Sequence, residues 1–161
     1  MEIRDEIDRE IYEVGKPLID SEFFEATKNQ AHHKKTTLYK HIMGVARWSV
    51  KICDRIEEHG RHDIDRRSVI IAALCHDIGM IGRDVKFANN FQACRQHPKD
   101  SAALMKEFFP DVDEATVKMV EKHMWPLHLT PPTSIEEWIV IQADKLASGD
   151  DISLKKSDKD N

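Results

Sequence analysis

The sequence predicts an all-α fold, a helical bundle in a single domain. Apolar residues recur three and four positions apart along most of the chain, as they do on the buried face of a helix. No segment alternates apolar and polar residues over six or more positions, which a half-exposed strand would require. The length of 161 residues, 40% of them hydrophobic and 33% charged, fits one globular domain.

The first half of the chain predicts an amphipathic start followed by two long helices. Residues 1–30 are expected to form one or two amphipathic helices. The next helix is predicted over residues 36–58, from a stripe spaced by three and four residues that starts at His41. The run from Ser68, a predicted cap, to His76 is apolar on all sides and would also suit a strand. Two alanines in this run and its helical neighbours favour a helix.

Prolines and capping residues mark the predicted helix ends in the second half of the chain. Pro98 is expected to start a helix that Pro110 stops. Asp113 is expected to cap the next helix, which ends before Pro126. Ser134, in a capping box with a glutamate three residues later, is expected to open a last helix that runs to about residue 148.

Composition excludes several classes of protein. The net charge of −5 argues against a protein whose main task is to grip nucleic acid. No stretch approaches the roughly 20 apolar residues of a membrane helix, and the charged start is not a signal peptide. Cys53, Cys75 and Cys94 are scattered, so neither a disulfide framework nor a thiolate zinc site is expected. We expect a cytoplasmic protein without a membrane or nucleic-acid partner.

Histidine is the outlier of the composition, with nine residues. Several histidines and aspartates fall at definite places on successive predicted helices, and helical bundles build metal sites from side chains that converge in this way. Imidazole and carboxylate together suit iron, manganese or zinc better than calcium. The candidate ligands are His41, His76, Asp77, His97, His123 and Asp144.

Asp77 gives the strongest single argument for a metal. It follows an eight-residue run without charge, so its carboxylate is expected to leave water. A buried carboxylate without a partner costs several kcal/mol, and a metal ion is one of the few groups that offset this cost. Asp144, among apolar neighbours in sequence, makes the same case more weakly.

These residues resemble a known family. The pattern His41…His76-Asp77…Asp144 resembles the signature of the HD-domain metal-dependent phosphohydrolases, over roughly residues 30–148. The segment that starts at His76 also matches the His-Asp-Ile-Gly form of that signature. A second His-Asp-Ile, at residues 62–64, is set aside because charged residues surround it.

His97 and His123 resemble the additional ligands of HD subgroups that bind two metals, which include HD-GYP phosphodiesterases and HD-type diadenosine tetraphosphate hydrolases. The resemblance implies two divalent ions, iron or manganese before zinc, magnesium, nickel or cobalt. It implies that Asp77 bridges them and that metal-bound hydroxide attacks a phosphoryl group. The first ion would be held by His41, His76, Asp77 and Asp144, and the second by Asp77, His97 and His123. The implied division is an N-terminal helical extension at 1–30, an HD domain at 31–148 and a polar tail at 149–161.

Some residues differ from the family pattern, and these differences narrow the range of predicted substrates. Lys122 stands where HD-GYP proteins have the first of two histidines, and no Gly-Tyr-Pro segment occurs, which argues against cyclic-dinucleotide cleavage. Met80 replaces a lysine found in many relatives, so Arg83 or Lys86 is the candidate substrate-binding cation in its place. Lys145, next to Asp144, is a further candidate, which would contact either phosphate or a neighbouring carboxylate.

The predicted function is hydrolysis of a phosphoester or phosphoanhydride in a nucleotide-like small molecule. Cleavage of dinucleoside polyphosphates by two metals leads, and a mononuclear 5′-nucleotidase type of enzyme is the second prediction. A non-catalytic nucleotide-binding HD module is a third. The sequence leaves the oligomeric state open.

Most of the remaining histidines are expected to be surface residues. His32 and His33, beside two lysines, are expected to be solvated charge, with contact to an anionic substrate as the alternative. His128, in a loop bounded by prolines, is expected at the rim or on the surface.

Overall fold

A computed structural model describes residues 1–32, 36–61 and 63–157 of the chain. Within these ranges the protein is all-α, without a named strand, which confirms the predicted fold class. The residues 33–35, 62 and 158–161, which include His33, lie outside the described residues. The α-helices are α1 (Glu6–Ile19), α2 (Glu22–Ala26), α3 (Leu38–Glu58), α4 (Arg66–Cys75), α5 (Arg83–Lys86), α6 (Asn90–Phe108), α7 (Glu114–Lys122) and α8 (Ile135–Ser157), with a 3₁₀ turn at Ile78–Met80.

Helix α4 is the centre of the bundle. Its residues from Ser68 to Cys75 are all buried, and it contacts α1, α3, α6, α7 and α8. The run that could also have been a strand is therefore a helix surrounded by helices. An element that is apolar on every side needs such complete coverage.

The predicted starts of α7 and α8 are confirmed, and that of α4 is shifted. Asp113 caps α7 by accepting the N–H of Thr116 at 2.8 Å, and Ser134 accepts the N–H of Glu137 at 3.1 Å at the start of α8. Helix α4 instead begins before Ser68. Asp65 accepts both the backbone N–H and the hydroxyl of Ser68, at 3.0 and 2.7 Å, and this carboxylate is the better cap.

The prediction that Pro98 starts a helix is wrong. Helix α6 begins two turns earlier, where Asn89 accepts the N–H of Gln92 at 2.9 Å, and Pro98 lies inside it. An interior proline removes one helical hydrogen bond and crowds the preceding turn. Here Pro98 is buried and α6 packs against the 3₁₀ turn, and this tertiary packing outweighs the local preference.

Two helices differ in length from their predicted spans. Helix α7 ends at Lys122, and the chain continues through successive turns before Pro126. Helix α8 does not stop near residue 148 but continues to Ser157. Asp150 accepts a hydrogen bond from Trp48 Nε1 on α3 at 2.8 Å, which ties this extension to the bundle.

The N-terminal helices pack on the body, as their amphipathic pattern predicts. Ile11 and Leu18 of α1 and Phe24 of α2 are buried in the common core. Asp8 is buried as well and accepts hydrogen bonds from Arg47 Nε on α3 and Arg4 Nε, at 2.6 and 3.1 Å. Among the described residues, no helix combines the length and apolarity needed to cross a membrane.

Candidate metal centre

The structure brings the six predicted ligands together in the interior of the bundle. Five are nearly inaccessible to solvent, and the side chain of Asp144 is 22% exposed. They come from five places along the chain, so the centre exists only in the folded protein. His41 lies in the first turn of α3, His76 and Asp77 directly follow α4, His97 lies in α6, His123 directly follows α7, and Asp144 lies in α8.

Asp77 stands between two groups of histidines. Its Oδ1 atom lies 3.1 Å from His97 Nε2 and 3.5 Å from His123 Nε2. Its Oδ2 atom lies 3.6 Å from His76 Nε2 and 3.7 Å from His41 Nε2. Each oxygen of one carboxylate thus faces its own set of imidazole nitrogens.

Asp144 completes the group on the Oδ2 side of Asp77. Its Oδ1 atom lies 3.1 Å from His41 Nε2 and 4.0 Å from His76 Nε2. The two imidazole nitrogens are themselves 3.3 Å apart. One ligand atom from each of these three residues lies within 4.8 Å of the others, and the same holds for Asp77, His97 and His123.

The hydrogen bonds of the imidazole rings show that the donor set fits a cation. The Nδ1 atoms of His97 and His123 lie 2.7 and 2.6 Å from the carbonyl oxygens of Ala93 and Val120. A carbonyl only accepts, so Nδ1 carries the hydrogen, and Nε2 of the neutral ring presents a lone pair. The two Nε2 atoms face each other at 3.1 Å, where lone pairs repel unless a cation lies between them. Metal-ligating histidines are commonly oriented by such Nδ1 bonds.

The pKa shifts keep both carboxylates ionised and the His76 ring neutral, whereas the hydrogen bond and charge of Asp77 outweigh burial and raise the pKa of His123. Burial alone would raise the pKa of Asp77, but His76, His123 and His97 outweigh it and hold this pKa well below its usual range. Burial lowers the pKa of His76 to about 4, so its ring stays neutral near neutral pH. Burial also opposes ionisation of Asp144, yet the hydrogen bond from His41 lowers its pKa. Buried carboxylates beside neutral imidazoles form a ligand set for divalent transition metals.

Gly79 explains why the turn after Asp77 can approach α6 so closely. A Cβ atom at this position would lie 2.6 Å from the carbonyl oxygen of His97 and 2.7 Å from the backbone nitrogen of Ser101. The Gly79 N–H donates instead to Ser101 Oγ at 2.9 Å. The glycine of the His-Asp-Ile-Gly segment therefore sets the distance between Asp77 and His97.

His32 also belongs to this centre, contrary to the expectation that it is solvated charge. It is buried, its ring stacks on that of His41 with centroids 4.2 Å apart, and its Nε2 atom lies 3.7 Å from Asp77 Oδ2. A β-bridge between Ala31 and Thr37 brings it to the centre just before α3. In the sequence, the polar neighbours of His32 indicate a solvated position. A histidine nine residues before His41 was the only signal.

The three predicted substrate-binding cations lie in different places. Arg83 donates to Asn90 Oδ1 at 2.5 Å, and Lys86 Nζ lies 3.5 Å from the carbonyl oxygen of Gly79, beside the centre. Lys145 Nζ lies over the ring of Trp125 at 5.6 Å. Within the described part of the chain, no hydrogen bond or ion pair joins these cations to the six candidate ligands.

In comparisons with known proteins, one family model matches most of the chain. Residues 38–149 match the family model described as HD domain. This span includes all six candidate ligands and begins just after His32. No curated protein and no solved structure gives a significant match to the chain.

Proposed function

The chain belongs to the HD domain family, and from this membership we propose that it is a metal-dependent phosphohydrolase. The proposed reaction is hydrolysis of a phosphoester or phosphoanhydride bond in a nucleotide-like small molecule. The observation that carries the proposal is the position of Asp77, whose two oxygens face two separate groups of histidines.

The residues divide between two ions, for which iron and manganese are the first candidates. His41, His76, Asp144 and Asp77 Oδ2 would hold one ion, while His97, His123 and Asp77 Oδ1 would hold the other. When bound, a pair of divalent ions activates water at neutral pH and neutralises charge on phosphoryl oxygens. His32 is an additional candidate on the Oδ2 side of Asp77.

The residues of the chain orient the imidazole rings and bury most of the candidate ligands away from solvent. The Nδ1 bonds of His76, His97 and His123 to backbone carbonyls fix each ring so that Nε2 points to the centre. Burial of Asp77 lowers the local dielectric constant, which strengthens electrostatic interactions with a phosphoryl group. Lys86, next to the centre through Gly79, would contribute positive charge to phosphate binding.

The geometry favours cleavage with two ions over the mononuclear 5′-nucleotidase alternative. In a mononuclear enzyme, His97 and His123 would only line the pocket. Here both reach Asp77 Oδ1, and their Nε2 atoms face each other at 3.1 Å. All six positions retain a metal-binding residue type, which counts against a non-catalytic module.

A substrate panel tests the proposal. The purified protein, loaded anaerobically with Mn²⁺ or Fe²⁺, is assayed with dinucleoside polyphosphates, mononucleotides and cyclic dinucleotides. We expect hydrolysis of the first class above all, followed as the appearance of its two nucleotide products, and its complete loss in Asp77→Ala. His59→Ala, at an exposed histidine, is the matched control and should retain full activity. A metal-loaded protein that hydrolyses none of these substrates, or an Asp77→Ala variant that still does, would refute the proposal.

A further inference from the structure

A cleft lies between the first half of α6, the helix that contains His97, and the segment that follows His123. Its volume is about 640 Å³, within the range of small-molecule sites. Cys94 lines the cleft one turn before His97, and His128 lines it five residues after His123. Each wall is therefore close in sequence to one of the two histidines that face Asp77 Oδ1.

The lining of the cleft combines exposed apolar surface with positive charge. Phe91, Leu127 and Leu129 are 71%, 68% and 93% exposed, and they are three of the seven large hydrophobic residues exposed in the described ranges. Arg95 and Lys99 line the same space, and the residues described around it include no carboxylate. This concentration of cations contrasts with the net charge of −5 of the whole chain.

The cations of the cleft are free to meet an anion. No carboxylate in the described part of the chain forms an ion pair with Arg95 or Lys99. The Arg95 guanidinium instead lies over the ring of Phe91, 5.6 Å from its centroid. An aromatic ring with an arginine beside it suits both a nucleobase, by stacking, and a phosphate, by charge.

We propose that this cleft binds the nucleoside part of a nucleoside phosphate, the base against Phe91 and a phosphate near Arg95 and Lys99. The inference rests on the proposed function for its orientation, because the phosphoryl group to be cleaved then lies at the metal centre. The pairing of apolar surface with unpaired cations fits a nucleoside phosphate better than inorganic phosphate, which has no group for Phe91 or the leucines. Arg83 donates a hydrogen bond to Asn90, which lines the cleft, and so adds positive charge at its edge.

Cys94 provides a chemical reporter of occupancy. It is half-buried and lines the cleft, whereas Cys53 and Cys75 are buried in the core. Burial also raises the pKa of the Cys53 thiol to about 12 and raises that of Cys75 as well, so both react slowly. The rate at which iodoacetamide alkylates Cys94, followed by mass spectrometry, therefore measures access to the cleft.

The experiment compares ATP and CTP with inorganic tripolyphosphate as protecting ligands of the Mn²⁺-loaded full chain. We expect the nucleotides to slow alkylation at concentrations several-fold lower than tripolyphosphate, because only they carry a base. Phe91→Ala should raise the half-protecting nucleotide concentration by about five-fold or more, the effect of losing one stacked base. Arg95→Ala should raise it too. Lys106→Ala, at an exposed cation of α6 outside the cleft, should leave it unchanged.

Three results would overturn the proposal. They are equal protection by tripolyphosphate and nucleotides, undiminished protection in Phe91→Ala, and slower alkylation on raising the protein concentration alone, which would assign the cleft to a second copy. Hydrolysis of each nucleotide is measured in the same samples. Protection without any hydrolysis across the substrate panel would refute the proposed function but not the cleft, and hydrolysis without protection would refute the cleft alone.

Discussion

At the scale of single residues, Asp77 organises the centre. Its carboxylate is buried, stays ionised because histidines surround it, and presents one oxygen to each of two imidazole groups. A charge in this position is costly without a compensating cation. The Nε2 lone pairs of His97 and His123 face each other, and a cation between them would also remove their repulsion. Both features follow from the ligand residues themselves and identify where a cation would lie.

His32 gives the first prediction at this scale. Its Nε2 atom is near Asp77 Oδ2, and its ring stacks on His41, so its loss should weaken only the ion on that side. We expect His32→Ala to lower the affinity for one Mn²⁺ ion by about 10-fold to 100-fold, the usual cost of removing a supporting contact of a metal site. Calorimetric titration with Mn²⁺ measures both affinities. His59→Ala is the control, and equal weakening of both ions would contradict this role.

At the scale of elements, the contact between α6 and the 3₁₀ turn Ile78–Met80 positions the centre. Backbone atoms of His97 and Ser101 in α6 lie so close to Gly79 that a side chain at this position would hold the two elements apart. Helix α1 is attached in a different way. Its buried Asp8 is bonded to Arg47 of α3, which links the N-terminal helices to the body.

Gly79→Ala tests the contact with α6. The added Cβ would collide with backbone atoms of His97 and Ser101, so the turn must move, and we expect a loss of at least about 2 kcal/mol in the free energy of unfolding. We also expect weaker binding of the ion near His97. Gly44→Ala is the matched control, because its Cβ would meet Ala147 Cβ at an ordinary 3.5 Å. A Gly79→Ala variant as stable as Gly44→Ala would contradict the close approach.

Arg47→Ala tests the attachment of α1. It leaves the buried Asp8 carboxylate with Arg4 alone, so we expect it to lower the free energy of unfolding by about 2 kcal/mol at neutral pH. Arg61→Ala, which breaks the exposed ion pair with Asp63, is the control and should have no measurable effect. Urea denaturation measures both.

The effect of Arg47→Ala should depend on pH in one direction. Burial opposes ionisation of Asp8, but the hydrogen bonds from Arg47 and Arg4 prevail, and its pKa in the folded protein is lowered from 3.8. A lowered carboxyl pKa contributes stability above the unfolded value and loses it as pH falls through the folded value. The difference between wild type and Arg47→Ala should therefore shrink below about pH 4. A difference that grows in acid would contradict the assignment.

At the scale of the whole molecule, the centre draws ligands from α3, α6 and α8 and from the ends of α4 and α7. Bound ions would therefore hold most of the bundle together. Free Mn²⁺ at a hundredfold excess over its dissociation constant should stabilise the fold by about 2.7 kcal/mol for each ion. For a chain of this size, this corresponds to an increase of about 5–10 °C in Tm for one ion. A Tm that is the same in Mn²⁺ and in EDTA would contradict this coupling.

The fold class and the convergence of the six candidate ligands could be predicted from the sequence, for a physical reason. The uncharged run from Ser68 to Cys75 leads directly into His76-Asp77 and so favours an interior position for both residues, and helical spacing sets the face on which His41 lies. The position of His32 could not be predicted, because it depends on a bridge between Ala31 and Thr37. The start of α6 was also missed, since its packing against the 3₁₀ turn overrides the local preference of Pro98.

The central claim is that the buried cluster around Asp77 holds two divalent ions for phosphoryl chemistry. The most direct measurement is the metal content of the protein after anaerobic loading with Mn²⁺ or Fe²⁺ and gel filtration, determined by mass spectrometry of the metals. We expect two ions per chain in the wild type, one in His97→Ala and none in Asp77→Ala. A wild-type chain that retains no metal under these conditions would contradict the account.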